Sequence, residues 1–151
     1  GGALDVVINI ADNFLDEGVI VSTKDKNGNE VTEKSDAESD DIPLVIIQNE
    51  NSASASEILA GALKDRGRAK VVGTQSFGKG VVQKLFTLDN GAGAKITISE
   101  YFTPNGTEIN KVGVTPDVEV EANEDLDLNK QDFKNDTQFV KALSELLKDI
   151  K

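Results

Sequence analysis

The 151-residue chain carries 27 acidic and 16 basic residues, a net charge of −11, and has neither histidine nor cysteine. That charge argues against nucleic acid as a partner, because phosphate binding needs clustered Lys and Arg. Without Cys there is no disulfide framework or thiolate zinc site. Without His the commonest general base and metal ligand is gone, so catalysis here would need Lys, Asp, Glu or Tyr as base, and no metal or cofactor is expected.

The length suits one domain with a core of ordinary size. No apolar segment approaches the roughly 20 residues that span a membrane. The chain opens on Gly1-Gly2 with a structured pattern beginning at once. It therefore reads as a piece of a longer protein, and absent targeting signals say nothing about the parent.

In chain order, residues 4–15 place Leu4, Val7, Ile8, Ala11, Phe14 and Leu15 on one helical stripe, with Gly18 as a stop signal. Residues 19–25 alternate like a strand, and Asn27-Gly28 predicts a hairpin returning through 30–34. Residues 35–42 read as a solvated acidic loop. The short run 44–50 looks like a strand buried on both faces. A helix over 57–67 and a strand over 69–74 complete a strand–helix–strand unit. After the Gly-flanked loop 75–80 come strands 81–88 and 94–102 around a turn at 89–93, then the Pro-containing turn 103–106. The acidic stretch 121–135 reads as a linker without calcium-loop spacing. Residues 136–151 close the chain with an amphipathic helix capped by Asp136. Its apolar stripe (Phe139, Val140, Leu143, Leu146, Leu147) is expected to dock on its own domain, with homodimer formation as the alternative.

The segment "NENSASASEI" (49–58) follows the buried strand and opens the helix. Sites in open α/β sheets are usually built at such carboxyl ends. Ser54 with Glu57 fits a capping box, so the serines have an ordinary structural reading too. Yet a Ser here faces free N–H groups and the positive helix end. Ser52, Ser54 and Ser56 are all candidates by position, and Ser54 best fits the N-cap. The candidate base is Lys79. A lysine serves as base only when neutral, which burial favours. Its neighbours Phe77, Val81 and Val82 are apolar, and Gly78 and Gly80 would let another segment approach the backbone. Gln83 could orient the amine without a carboxylate's charge. Taken alone, Lys79 also reads as a solvated turn residue and Gln83 as an exposed strand residue.

The run "NENSASASEILAGALKDRGRAKVVGTQSFGKGVVQ", continued by "LDNGAGAKITISEYFTPNGTEINKVGVTPDVEV", closely resembles the catalytic segment of the carboxyl-terminal processing peptidases, also called tail-specific proteases. Gly1-Gly2 resemble the end of that family's Asn-Pro-Gly-Gly segment, so the likeness covers roughly residues 1–120. The resemblance implies Ser54 as nucleophile, Lys79 as base 25 positions later, and Gln83 as the lysine-orienting residue. It implies an oxyanion hole from the N–H of Ala55 and of Gly1 or Gly2. It further implies an α/β fold with a crotonase/ClpP-like core of β-β-α units, serine endopeptidase activity through an acyl-enzyme, and protein or peptide substrates with apolar C-termini. A parent with a PDZ domain and membrane anchor, working outside the cytoplasm, is expected. No PDZ or helical N-terminal region occurs within these residues, so the piece alone is not expected to cleave well. Two other readings compete: a non-catalytic crotonase-like binding or scaffold module, and an acyl-CoA hydratase-like enzyme. The second would need placed glutamates, whereas Glu57 already has a capping role.

Overall fold

The computed structural model describes residues 1–123 and 133–150. Much of the acidic linker expected over 121–135 lies outside the described residues. Three helices and seven strands follow in the order α1 (Leu4–Asp12), β1 (Gly18–Asp25), β2 (Glu30–Ser35), β3 (Val45–Gln48), α2 (Ala55–Asp65), β4 (Lys70–Gly73), β5 (Val81–Thr87), β6 (Gly93–Phe102), β7 (Val118–Glu119) and α3 (Thr137–Asp149) among the described residues. The strands form two sheets, an antiparallel β2-β1-β6-β5 and a parallel β3-β4-β7. The expected β–α–β unit is β3–α2–β4, its strands aligned Val45 with Lys70 through Gln48 with Gly73.

The core follows from apolar spacing. Val7, Ala11 and Leu15 of the first stripe are buried against Ile20 and Val21 of β1 and against Ala55, Ile58, Ala62 and Leu63 of α2. Leu4, Ile8 and Phe14 pack at its margin. Each large aliphatic side chain buried this way contributes about 2 kcal/mol. Helix α1 ends at Asp12, short of Gly18, which instead opens β1. The β1–β2 turn is closed by Asp25, whose Oδ1 accepts the N–H of Asn27 and of Asn29 at 2.8 and 2.9 Å. Arg66, just past α2, fastens the α1–β1 connection by donating to Asp16 Oδ1 at 2.6 Å and to the Glu17 and Val19 carbonyls.

Two expectations are corrected. β3 is not buried on both faces: Ile47 is 44% exposed, β3 being an edge strand of the three-stranded sheet. Helix α3 begins where expected, with Asp136 Oδ1 accepting the Phe139 N–H at 2.9 Å. It packs near β3 and β4 of its own domain, with Gln138, Ala142 and Glu145 buried and only Phe139 and Leu146 of the expected stripe half-buried, whereas Val140, Leu143 and Leu147 are exposed. The docked face wins through polar contacts. Gln138 Nε2 donates to the Val120 carbonyl at 2.8 Å, and Glu145 pairs with Lys70 of β4 at 3.4 Å. β7 had no counterpart in the periodicity, being only two residues long.

Candidate active site

Ser54 is the N-cap of α2 and Ala55 its first residue, as the sequence predicts. Ser54 has φ 61° and ψ −120°, a conformation L-residues avoid. The turn lifts Ser54 off the end of β3 and sets it beside Gly1. A Cβ added to Gly1 would meet the Ser54 Cβ at 3.3 Å and the Ala53 carbonyl oxygen at 2.5 Å. The Ala55 N–H is among the four amides that a helix start leaves without an internal acceptor, so it points out of the helix next to the serine. Gly1, Gly2, Val6, Ile10, Ala55 and Leu59 line a mostly apolar groove of about 240 Å³ that begins at this point.

Glu57 organises the rest. It is 0% exposed and both its oxygens are occupied. Oε2 accepts the Ser54 N–H at 2.8 Å and the Lys79 N–H at 2.8 Å. Oε1 accepts the Gly78 N–H at 2.6 Å and the Ser76 hydroxyl at 2.5 Å. One carboxylate therefore ties the main chain of Ser54 to that of Lys79, far away in sequence. The loop 75–80 is further anchored by Phe77 N–H to the Ser52 carbonyl at 2.9 Å. Behind it runs segment 109–112. Lys111 N–H reaches the Gly78 carbonyl, and a Cβ on Gly80 would meet Asn110 N at 2.3 Å. The close approach expected at the two glycines is thus present.

Lys79 is exposed, as its reading as a solvated turn residue predicts, and lacks the burial that would favour a neutral amine. Residues 75–80 alternate exposed and buried, with Ser76, Gly78 and Gly80 inward and Gln75, Phe77 and Lys79 outward. This is the period of an extended chain, and Phe77, 66% exposed, gives the lysine no cover. Among the described residues no hydrogen bond joins the Lys79 amine to the Ser54 hydroxyl, and the exposed Gln83 amide donates instead to Thr97 Oγ1 at 3.4 Å. Ser54 and Lys79 are brought together through their backbones, and Gln83 is not joined to them. Tyr101, another residue type that could serve as a base, is buried in the core, and desolvation raises its pKa above the ordinary phenol value. It bonds the loop only through its N–H, to the Gly80 carbonyl at 2.8 Å. Ser52 is spent locally, its hydroxyl accepting the Asn49 N–H at 3.2 Å. The described residues contain no group of acids arranged to hold a metal ion. The reach of Glu57 was not visible beforehand. Its one signal is that an acid shares the buried side of α2 with Ala60 and Gly61.

A strained serine opening the helix of a β–α–β unit is a setting in which α/β hydrolases expose a nucleophile. The family model described as Peptidase family S41 matches residues 1–120, and the chain belongs to that family. It is 43% identical over 152 aligned residues to a carboxyl-terminal-processing protease of Picosynechococcus sp., covering 99% of this chain and 36% of that protein. It is 46% identical over 125 residues to the carboxy-terminal-processing protease of Bartonella bacilliformis, covering 80% of this chain and 29% of that one. Among solved structures, the photosystem II D1 C-terminal processing protease superposes with a TM-score of 0.76 at 41% identity, over 80% of this chain and 32% of its own. The chain spans about a third of the length of the curated relatives it matches.

Proposed function

We propose that the polypeptide containing this chain is a serine endopeptidase that cuts proteins near their C-terminal tails, with Ser54 as nucleophile and Lys79 as base. The observation that carries this reading is the single Glu57 oxygen holding both the Ser54 and the Lys79 N–H. In the proposed reaction the neutral Lys79 amine takes the hydroxyl proton as Ser54 Oγ attacks the scissile carbonyl. The oxyanion is received by the Ala55 N–H and by Gly1 or Gly2. The tetrahedral species collapses, Lys79 returns the proton to the leaving amine, and an ester to Ser54 remains. Water, deprotonated by Lys79, then cleaves that ester. In apo enzymes catalytic hydrogen bonds are often long and tighten with substrate, so the outward Lys79 and the Thr97-bound Gln83 are compatible with this route. Gln83 is assigned to orient the lysine once it turns inward.

Residues 1–120 form the proposed catalytic core, crotonase/ClpP-like, followed by a linker at 121–135 and a helix at 136–151. Substrates with apolar C-termini fit the apolar groove beside Ala55. A PDZ domain and membrane anchor in the parent, action outside the cytoplasm, and homodimer formation belong to the same proposal. One observation favours a non-catalytic scaffold instead: the unjoined Lys79 and Gln83 side chains. The deciding experiment incubates the full-length parent and this chain with an unstructured protein ending in an apolar tail, as wild type, Ser54→Ala and Lys79→Ala. Loss of cleavage by about 1,000-fold or more in both variants is expected. A Lys79→Ala protein that cuts like wild type would overturn the base assignment, and a folded parent that never cuts would favour the scaffold.

A further inference from the structure

We infer that Glu57 is a positioning residue for hydrolysis, a buried carboxylate that fixes the Ser54 backbone and the Lys79 backbone to one another. The inference rests on the peptidase reading above and deepens it. A capping glutamate needs only the N–H of its own N-cap, and that contact is made at 2.8 Å. The other three donors, from Ser76, Gly78 and Lys79, lie 19 to 22 residues away and have no part in ending a helix.

The direction of each bond is fixed. Ser76 Oγ accepts the Val114 N–H at 2.7 Å, so its own proton is free to go to Glu57. Two donors then fill each carboxylate oxygen, which exhausts the acceptor sites of an ionised side chain. No lone pair is left for a substrate or for the Ser54 hydroxyl, and burial keeps water away. Glu57 therefore acts through Ser54 and Lys79 and not on the reacting atoms. What it controls is the separation of two segments, each the start of a side chain that must meet the other.

Glu57→Gln keeps shape and volume but turns an NH2 group toward two of the four donors, which pushes one segment away. In the full-length parent, kcat per folded molecule is expected to fall about 100-fold, the cost of a displacement near 1 Å. KM should stay within about twofold, because Glu57 does not touch the groove. A merely structural role would lower the folded fraction and leave kcat per folded molecule unchanged, and that result would overturn the inference. Amide hydrogen exchange on this chain supplies a readout that needs no cleavage. The Ser54 and Lys79 amides should share one opening free energy in the wild type and lose protection together in Glu57→Gln. Independent opening of the two amides would overturn the coupling, even where the variant fails to fold, since the wild type alone decides it. A wild type that cuts nothing would reject the peptidase reading, and the exchange result would then stand or fall by itself.

Discussion

Ser54 holds its main chain at φ 61° where the connection from β3 enters α2, with the Ala53 carbonyl close against Gly1. Such a conformation costs of order 1–3 kcal/mol in a residue with a Cβ. Glycine occupies it freely but has more to lose from the unfolded chain. Ser54→Gly is therefore expected to be more stable than Ser54→Ala by about 1 kcal/mol in urea unfolding, with both inactive. Equal stabilities would mean that the turn is not strained. At Gly80 the constraint is steric. An added Cβ would lie 2.3 Å from Asn110 N and 2.7 Å from the Ile109 carbonyl carbon, both main chain and unable to swing aside. Gly80→Ala should cost about 3 kcal/mol and depress cleavage as well, since the same loop carries Lys79. The serine's place at the helix start was legible because cap chemistry is local. The partners of Glu57 on the loop were not, because contacts between residue 57 and residues 76–79 exist only once the fold has formed. The outward face of Lys79 agrees with its reading as a solvated turn residue, and the apolar Phe77 beside it in sequence is outward too, so it encloses nothing.

At the scale of elements, α3 shows why an apolar stripe can misdirect. Its buried face centres on Glu145, which pairs with Lys148 at 2.6 Å, Lys141 at 3.1 Å and Lys70 at 3.4 Å. Hydrogen bonds from Lys148 and then Lys141 lower its pKa from an ordinary 4.5 to about 2. The unfolded carboxyl thus binds a proton more readily than the folded one between those values. The stabilisation is complete above about pH 4.5 and disappears as the pH falls toward 2. Glu145→Gln should be less stable than wild type at neutral pH, and urea midpoints of the two should converge across that acid window. A gap that stays constant down to pH 2 would show that packing, and not charge, holds the helix. Element types were otherwise legible wherever a period ran for eight or more residues, as in α1, β1 and β6. The paired partners were not legible, since period-2 patterning fixes faces and leaves neighbours open.

For the whole molecule, stability is unevenly spread. Among the described residues, strand β6 pairs with β1 only over Ser99–Phe102, so its first half has β5 as its sole strand neighbour. By register, Lys84 opposes Ile96 and Phe86 opposes Ala94, which puts Phe86, Ile96 and Ile98 on one face, all exposed. Leu85, paired with Lys95, is exposed on the other. A two-stranded ribbon with neither face covered is marginal in water, whereas β4 lies between β3 and β7 with Val71 and Val72 fully buried. Amides of Lys84–Thr87 and Ala94–Ile96 should therefore exchange at least about 100-fold faster than those of Val71, Val72 and Ile20, read by hydrogen-exchange NMR on the dilute chain. The exposed apolar residues also make the ribbon the first place where copies would meet at higher concentration. If ribbon and core exchange alike, the ribbon is covered even in dilute solution, and sedimentation velocity on the same sample must then show a species larger than one chain.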